Sequence, residues 1–325
     1  MGGWIREFEA RTRANPDIRP GTVRARLGAV KRLLKTWPGI ERLPAEGITP
    51  AAVLHWACRF KRDGTQFRPP GARAARRGNS ATSVNSAVDA LRGILQLAVD
   101  SGRMEKNPAL QGRNRAAGRL KKKVGRKMFI PPSREELERL FLAMENNGSV
   151  GGRGREAADF CRCLAMSGAR VGELRLLTWS LVYWERRLIH LPGYKTESSA
   201  RLIPLFPELA ALFCRVRERR RSAARFRRDG RSLLEPGDAI FRIGECQRTI
   251  DGACRRLGMA RITHHDFRHL FATMCIESGV DVPTVSRWLG HADGGVLAMR
   301  TYGHLRAGHS WEAAQRVSFG VANTA

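Results

Sequence analysis

Near one end of this 325-residue chain, in HADGGVLAMRTYGHL, Tyr302 follows His291 and Arg300, and it is one of only three tyrosines. An unperturbed phenol, with a pKa near ~10, is a poor nucleophile at neutral pH, so it becomes useful only where neighbours stabilise its anion or take its proton. Candidates for such neighbours lie upstream. Arg170 and Glu173 are spaced i,i+3 in SGARVGELRLLTW, which lets a carboxylate lock a guanidinium in place. His265 and Arg268 repeat the spacing in HHDFRHLFATMCIESG, sending an imidazole and a fork of donors to one side of a helix. His291 follows the turn Leu289-Gly290. Two arginines and two histidines converging on one phenol would make an anion site with a nucleophile. Taken singly these signals are weak, because a lone helical histidine is more often structural and an isolated Arg–Glu pair is usually surface decoration. The order and spacing of the set carry the specificity. Arg300 is left as a DNA or helix-packing residue, and His264, His269 and His304 as supporting neighbours.

The elements that must position these groups follow from periodicity. TVRARLGAVKRLLKTW, ITPAAVLHWACRF with Thr49 as cap and Pro50 at the first helical position, and NSATSVNSAVDALRGILQLAVDSG read as helices. DGTQFRPPGARAARRGNS between the last two reads as a loop. PPSREELERLFLAM opens a new domain, with Ser133 and Glu136 in capping-box spacing. REAADFCRCLAMSG is expected to end at Gly168, with a further helix over ARVGELRLLTW. LVYWERRLIHLP and SARLIPL read as short strands flanking the turn GYKTES, followed by the helix PELAALFCRVRERR. RSAARFRRDGRSLLEPGD reads as a basic insertion before the strand-like AIFRI, after which ECQRTIDGACRRLG, HHDFRHLFATMCIESG and DVPTVSRWLGHA are helical. The fold class is therefore mainly α with a small antiparallel β-sheet or hairpin in the C-terminal domain. Residues 1–110 form a helical domain, 111–127 a linker and 128–325 a mixed α+β domain.

Charge points to the partner. The chain carries a formal +28, more than solubility requires, and a polyanion such as nucleic acid is the economical explanation. Residues 1–127 hold 28 Lys+Arg against 9 Asp+Glu. The linker alone contributes eight cations, Arg113, Arg115, Arg119, Lys121, Lys122, Lys123, Arg126 and Lys127, with almost nothing to bury, and these are expected to lie against DNA. Seven scattered cysteines lack zinc-knuckle spacing and read as reduced thiols, so neither metal nor disulfide is expected. No apolar run approaches the ~18 residues needed to span a bilayer. A cytoplasmic, nucleoid-associated protein without membrane contact is the expectation.

In order and spacing, SGARVGELRLLTW, then GYKTESSARLIPL, then HHDFRHLFATMCIESGVDVPTVSRWLGHADGGVLAMRTYGHL resembles the tyrosine recombinase (phage integrase) family. The resemblance covers residues 128–310, whereas the match of the first 110 residues to the family's helical core-binding (SAM-like) domain rests on helix pattern and position. It implies a two-domain enzyme whose catalytic set here is Arg170, Lys195, His265, Arg268, His291 and Tyr302, with Glu173 in support. Arg170 and Arg268 would clamp the scissile phosphate. His265 would accept the phenol proton and His291 would add a hydrogen bond. Tyr302 would form a 3′-phosphotyrosyl bond and free a 5′-hydroxyl. The family takes the leaving-group proton from a lysine on a β-hairpin. Lys195, in the expected hairpin turn, is the only lysine in residues 128–325 and so has no competitor for that place, with a solvated turn cation as the alternative reading.

The resemblance further implies double-stranded DNA with specific core sites as substrate, a homotetramer on DNA and accessory DNA-bending proteins, with no cofactor, metal or ATP. Integration or excision of a mobile element is the leading function. Xer-like multimer resolution, a type IB topoisomerase-like activity and a non-cutting DNA-binding protein derived from an integrase are the alternatives. RAGHSWEAAQRVSFGVA, residues 306–322, has the apolar spacing of a helix that could pack on its own domain or on a neighbour.

Overall fold

The computed structural model describes residues 1–63, 79–110, 120–122, 131–146, 152–193, 200–224 and 234–291. The chain divides into two compact units, Met1–Lys127 and Met128–Ala325.

The first unit contains helices α1 (Gly2–Ala14), α2 (Pro20–Thr36), α3 (Pro50–Asp63) and α4 (Ala81–Asp100). Helix α4 is its axis. Ser80 caps it by accepting from the Ser83 N–H, and Val84, Leu91, Ile94 and Leu95 on its apolar stripe are fully buried. Helix α1 packs so closely on α4 that a Cβ at Gly93 would stand 2.5 Å from the Phe8 ring. Thr49 caps α3 as expected, its hydroxyl accepting from the Ala52 N–H at 3.2 Å. Part of the stretch read as a linker belongs to this unit: Leu120 is buried in its core, and the Lys122 backbone N–H donates to Asn85 Oδ1 at 2.8 Å. Helix α1 is a feature that sequence periodicity did not single out.

The second unit contains helices α5 (Arg134–Glu145), α6 (Arg153–Ser167) and α7 (Val171–Leu174), strands β1 (Val182–Tyr183), β2 (Leu188–Leu191) and β3 (Arg201–Pro204), and helices α8 (Pro207–Ala224), α9 (Gln247–Leu257), α10 (His264–Glu277) and α11 (Val282–Leu289). Ser133 and Glu136 form the expected reciprocal capping box on α5. Helix α6 is the centre of the unit, packing against α5, α8 and α10. The strands form one antiparallel sheet in the order β1-β2-β3, with Ile189 opposite Ile203 and Leu191 opposite Arg201. LVYWERRLIHLP is thus a hairpin rather than one strand, turning at Trp184–Arg187 with Arg187 at φ 51°.

Two further elements differ from expectation. The helix over ARVGELRLLTW lasts only the four residues of α7, because Leu177 and Thr178 leave it to pair with 239–240. AIFRI forms a single bridge, Ala239 with Thr178, instead of a strand. Its Ala239 and Ile240 carbonyls accept from the Arg220 guanidinium at 2.7 and 2.6 Å, so a side chain satisfies groups that a neighbouring strand would otherwise pair. No helix among the described residues is long and apolar enough to cross a membrane.

Candidate active site

The site grows around the end of α6. Gly168 closes that helix at φ 61°, and a Cβ there would stand 2.5 Å from Phe271 Cδ1, so conformation and space both require glycine. Two residues on, Arg170 precedes α7 in extended conformation. Its backbone N–H donates to Glu173 Oε2 at 2.8 Å and its Nη1 to Glu173 Oε1 at 2.7 Å. The i,i+3 spacing therefore becomes a two-point lock, made at a helix start where the free N–H groups also favour a carboxylate.

Glu173 is fully buried and accepts a second cation, Arg201 Nη2 at 3.0 Å. Burial by itself would raise the Glu173 pKa. Hydrogen bonding and charge from Arg201, then contacts from Arg170, outweigh it and hold the carboxyl below its ordinary value of 4.5. The arginines differ in access: the Arg170 side chain is 31% exposed and that of Arg201 7%. Arg170 is held in place while still facing outward.

Helix α10 supplies the second pair. Thr263 caps it, its N–H and hydroxyl both donating to Asp266 Oδ2 at 2.7 and 2.8 Å. Arg268 is buried, and its Nη1 and Nη2 donate to the Gly168 and Leu289 carbonyls at 2.6 and 2.5 Å. One guanidinium thus joins the ends of α6 and α11. His265 lies within reach of the Arg170 charge. Burial, then the charges of Arg268 and Arg170 against an opposing Asp266, depress its pKa below 6.5. At neutral pH this imidazole is uncharged and able to accept a proton. His269 meets its ring edge-on at 4.6 Å between centroids. His264 turns elsewhere, its Nε2 accepting from the Cys246 N–H at 3.2 Å.

Helix α11 ends at Gly290, φ 66°, and His291 follows with its N–H on the Ser286 carbonyl at 3.1 Å. The two preceding carbonyls are both held by arginines, Trp288 by Arg201 Nε and Leu289 by Arg268. Trp288 is also wedged edge-on against Phe206 at 5.5 Å, and Phe206 against Phe271 at 5.9 Å. The backbone leading into His291 is consequently fixed from β3 and from α10.

Of the residues expected at the site, the fold links Arg170 and Glu173 directly, brings His265 within the influence of the Arg268 and Arg170 charges, and joins Arg268 to the α6 end just before Arg170 and to the α11 end just before His291. Tyr302 and Lys195 lie outside the described residues, as do Arg113, Arg115, Arg119, Lys123, Arg126, Lys127, His304, Arg300 and residues 306–322. Lys121 and Lys122 sit on the first unit, where Lys121 Nζ pairs with Asp89 at 2.7 Å and Lys122 Nζ donates to the Asn79 carbonyl at 3.0 Å. Arg201 is the member of the cluster that spacing alone did not single out. Its signal is an arginine on the same strand face as the buried Ile203, where an apolar residue is the ordinary choice.

Comparison with known proteins finds relatives over most of the chain. The Tyrosine recombinase XerC of Xanthomonas axonopodis pv. citri is 28% identical over 272 residues, covering 83% of this chain and 82% of its own. Among solved structures, the Tn1549 transposon integrase in complex with a circular intermediate DNA superposes with a TM-score of 0.68 at 18% identity, covering 97% of this chain and 99% of its own. A lambda integrase tetramer bound to a Holliday junction gives 0.63 at 16% identity, covering 90% and 78%. The model of the phage integrase family matches residues 133–309, from the cap of α5 through Arg170, Glu173, His265, Arg268, His291 and Tyr302, and the chain belongs to that family.

Proposed function

We propose that this protein is a site-specific tyrosine recombinase that cuts and rejoins duplex DNA through a covalent 3′-phosphotyrosyl intermediate. The observation that carries the reading is the joined cluster in which buried Glu173 holds a partly exposed Arg170, while Arg268, one turn along α10 from His265, ties the helix end before Arg170 to the helix end preceding His291. Arg170 and Arg268 would stabilise the charge that grows on the non-bridging oxygens as phosphorus becomes pentacoordinate. His265 would take the Tyr302 proton and His291 would donate to the phosphate. Lys195 would return a proton to the 5′-oxygen as it leaves. The cations of the chain itself supply the electrostatic stabilisation, and the phosphotyrosyl bond keeps the energy of the broken phosphodiester, so the reading requires neither metal nor ATP.

The substrate would be double-stranded DNA with specific core sites. The helical first unit would act as the core-binding domain, and the cations from Arg113 to Lys127 would contact phosphates. Four copies would assemble on two sites, with accessory DNA-bending proteins where the sites require them. Integration or excision of a mobile element is the first assignment, supported by the likeness to a transposon integrase. Xer-like multimer resolution is the second, supported by the XerC similarity across most of both chains.

The test is adduct trapping from a pool of nicked duplexes of randomised sequence, with denaturing extraction and sequencing of the DNA that stays on the protein. Wild type is expected to yield a defined site, and Tyr302→Phe to bind that duplex without forming an adduct. An extraction-resistant adduct on Tyr302→Phe would overturn the assignment of the nucleophile. Lys195→Ala is expected to regain cleavage on a 5′-bridging phosphorothiolate, whose leaving sulfur needs no proton. No gain there would move the general acid elsewhere.

A further inference from the structure

We propose that Arg201 is a positioning residue for strand cleavage, joining the carboxylate that holds Arg170 to the helix end that sets His291. The role rests on the recombinase reading above. It goes beyond the residues assigned there, because Arg201 is a structural go-between that is almost wholly buried, with a side chain 7% exposed.

The geometry is a fork with one tine on each half of the site. Arg201 Nη2 reaches Glu173 Oε2 at 3.0 Å, and Nε donates to the Trp288 carbonyl. The stem of the same side chain lies under the turn into His291, since a Cβ at Gly290 would stand 3.1 Å from Arg201 Cδ. The last carbonyls of a helix lack intrahelical donors and carry the negative end of its dipole. Arg201 from β3 and Arg268 from α10 take two successive ones, on Trp288 and Leu289. Only a planar guanidinium holds donors far enough apart to serve a carboxylate and a carbonyl together, whereas a lysine ammonium is a single point of charge.

Removing Arg201 therefore has two consequences. The His291 backbone loses one of the two guanidinium anchors on the end of α11. Glu173 loses the first of the cations that keep it ionised. The charged groups that act on Glu173 are Arg201 from β3 and Arg170 beside its own helix, whereas the α10 groups His265 and Arg268 make no contact with it. With Arg201 gone, burial is opposed by Arg170 alone, and the carboxyl takes up a proton at a higher pH than in wild type.

The experiment uses the full chain with Arg201→Gln and Arg201→Lys. Single-turnover adduct formation is followed from about pH 6 to about pH 8.5, a range that brackets the ordinary histidine pKa, on the duplex that wild type selects, beside DNA affinity and thermal unfolding. Arg201→Gln is expected to bind DNA with near wild-type affinity and to form adduct about tenfold to a hundredfold more slowly, the scale of a small misplacement of reacting groups. It is also expected to show an added loss toward low pH, which Glu173→Gln in the same background removes. Arg201→Lys is expected to lack the added acid loss, because a cation still faces Glu173, yet to remain slow. Wild-type rates in either variant, or a rate deficit matched by lost affinity with an unchanged pH profile, would overturn the role. Should Arg201→Gln not fold, Arg201→Lys decides the matter: full-speed cleavage sinks the proposal. A wild-type chain that forms no adduct on any duplex refutes the recombinase reading instead, an outcome distinct from a normal wild type with unaffected variants.

Discussion

Two buried carboxylates in the second unit each hold two arginines, and only one of them sits in the candidate site. Glu173 pairs with Arg170 and Arg201 at 2.7 and 3.0 Å. Asp159 on α6 pairs with Arg162 and Arg219 at 3.3 and 2.5 Å, and Arg162 also reaches Glu145 on α5 at 2.5 Å. The cluster at Asp159 bridges α5, α6 and α8, with the Arg162 guanidinium 4.8 Å from the Phe141 ring centroid. Every cation in it is answered by an acid or a ring, and no histidine takes part in these contacts. At Glu173 one acid answers two cations, and the charge of Arg170 is among those that depress the His265 pKa. The same ionic building block acts as a helix clamp where charges balance, and as a candidate anion site where they do not. Counting ion pairs would not tell the two apart.

The largest separation should come from the cations. Arg170→Ala is expected to slow adduct formation on the order of a hundredfold or more, comparable to losing an oxyanion donor, with DNA affinity little changed. Arg162→Ala should leave the rate per folded molecule unchanged and lower only the unfolding temperature. Equal rate losses in the two variants would erase the distinction.

Next come the acids. Glu173→Gln leaves the buried Arg201 without its counter-charge and should destabilise the chain by about 3 kcal/mol, read from denaturant midpoints, whereas Asp159→Asn should cost less, because Arg162 keeps Glu145 and Arg219 is partly exposed. Only Glu173→Gln should also slow cleavage below its own unfolding transition. An Asp159→Asn enzyme that binds DNA normally but cleaves slowly would show that the helix clamp reaches the site.

The pH dependence sharpens the contrast further. Because the folded-state pKa of Glu173 is depressed, its contribution to stability is fully present above the ordinary carboxylate value of 4.5 and is lost as pH falls through the lower folded value. The stability gap between wild type and Glu173→Gln should therefore be constant at neutral pH and close as the solution is acidified below 4.5. A gap that closes near pH 6.5, the ordinary value for His265, would instead point to the histidine. The smallest effect belongs to Arg219→Ala. Its side chain is 36% exposed, so solvent screens the pair, and a loss under about 1 kcal/mol is expected with no change in cleavage.

Much of this was legible in the chain. The caps at Thr49 and Ser133, the glycine that ends α6 and the proline that opens α3 announce their helices because each satisfies or permits a local backbone conformation. The spacings Arg170 to Glu173 and His265 to Arg268 foretold the pairs because three residues nearly complete one helical turn. Other features escaped for equally physical reasons. The apolar pattern of ARVGELRLLTW suits a helix, but its later residues are drawn off by pairing at 239–240, a contact remote in sequence. Helix α1 is charged along much of its length and has no side-chain cap, so its packing on α4 overrides weak local signals. Lys121 and Lys122 look like free linker cations until Leu120 is found buried beside them.

The sequence alone determined which functional groups are present, their order, and the one lysine and one tyrosine that the family chemistry would use, because residue types and short spacings are local properties. Tertiary structure alone decided that Arg201 shares Glu173 with Arg170, that Arg268 is bound to backbone carbonyls of two other elements, and that His264 is taken up by Cys246 while His265 comes under the Arg268 and Arg170 charges. Those outcomes depend on burial and on contacts between residues up to a hundred positions apart. No local rule encodes them, since the desolvation that sets the Glu173 and His265 charge states exists only once the elements have packed.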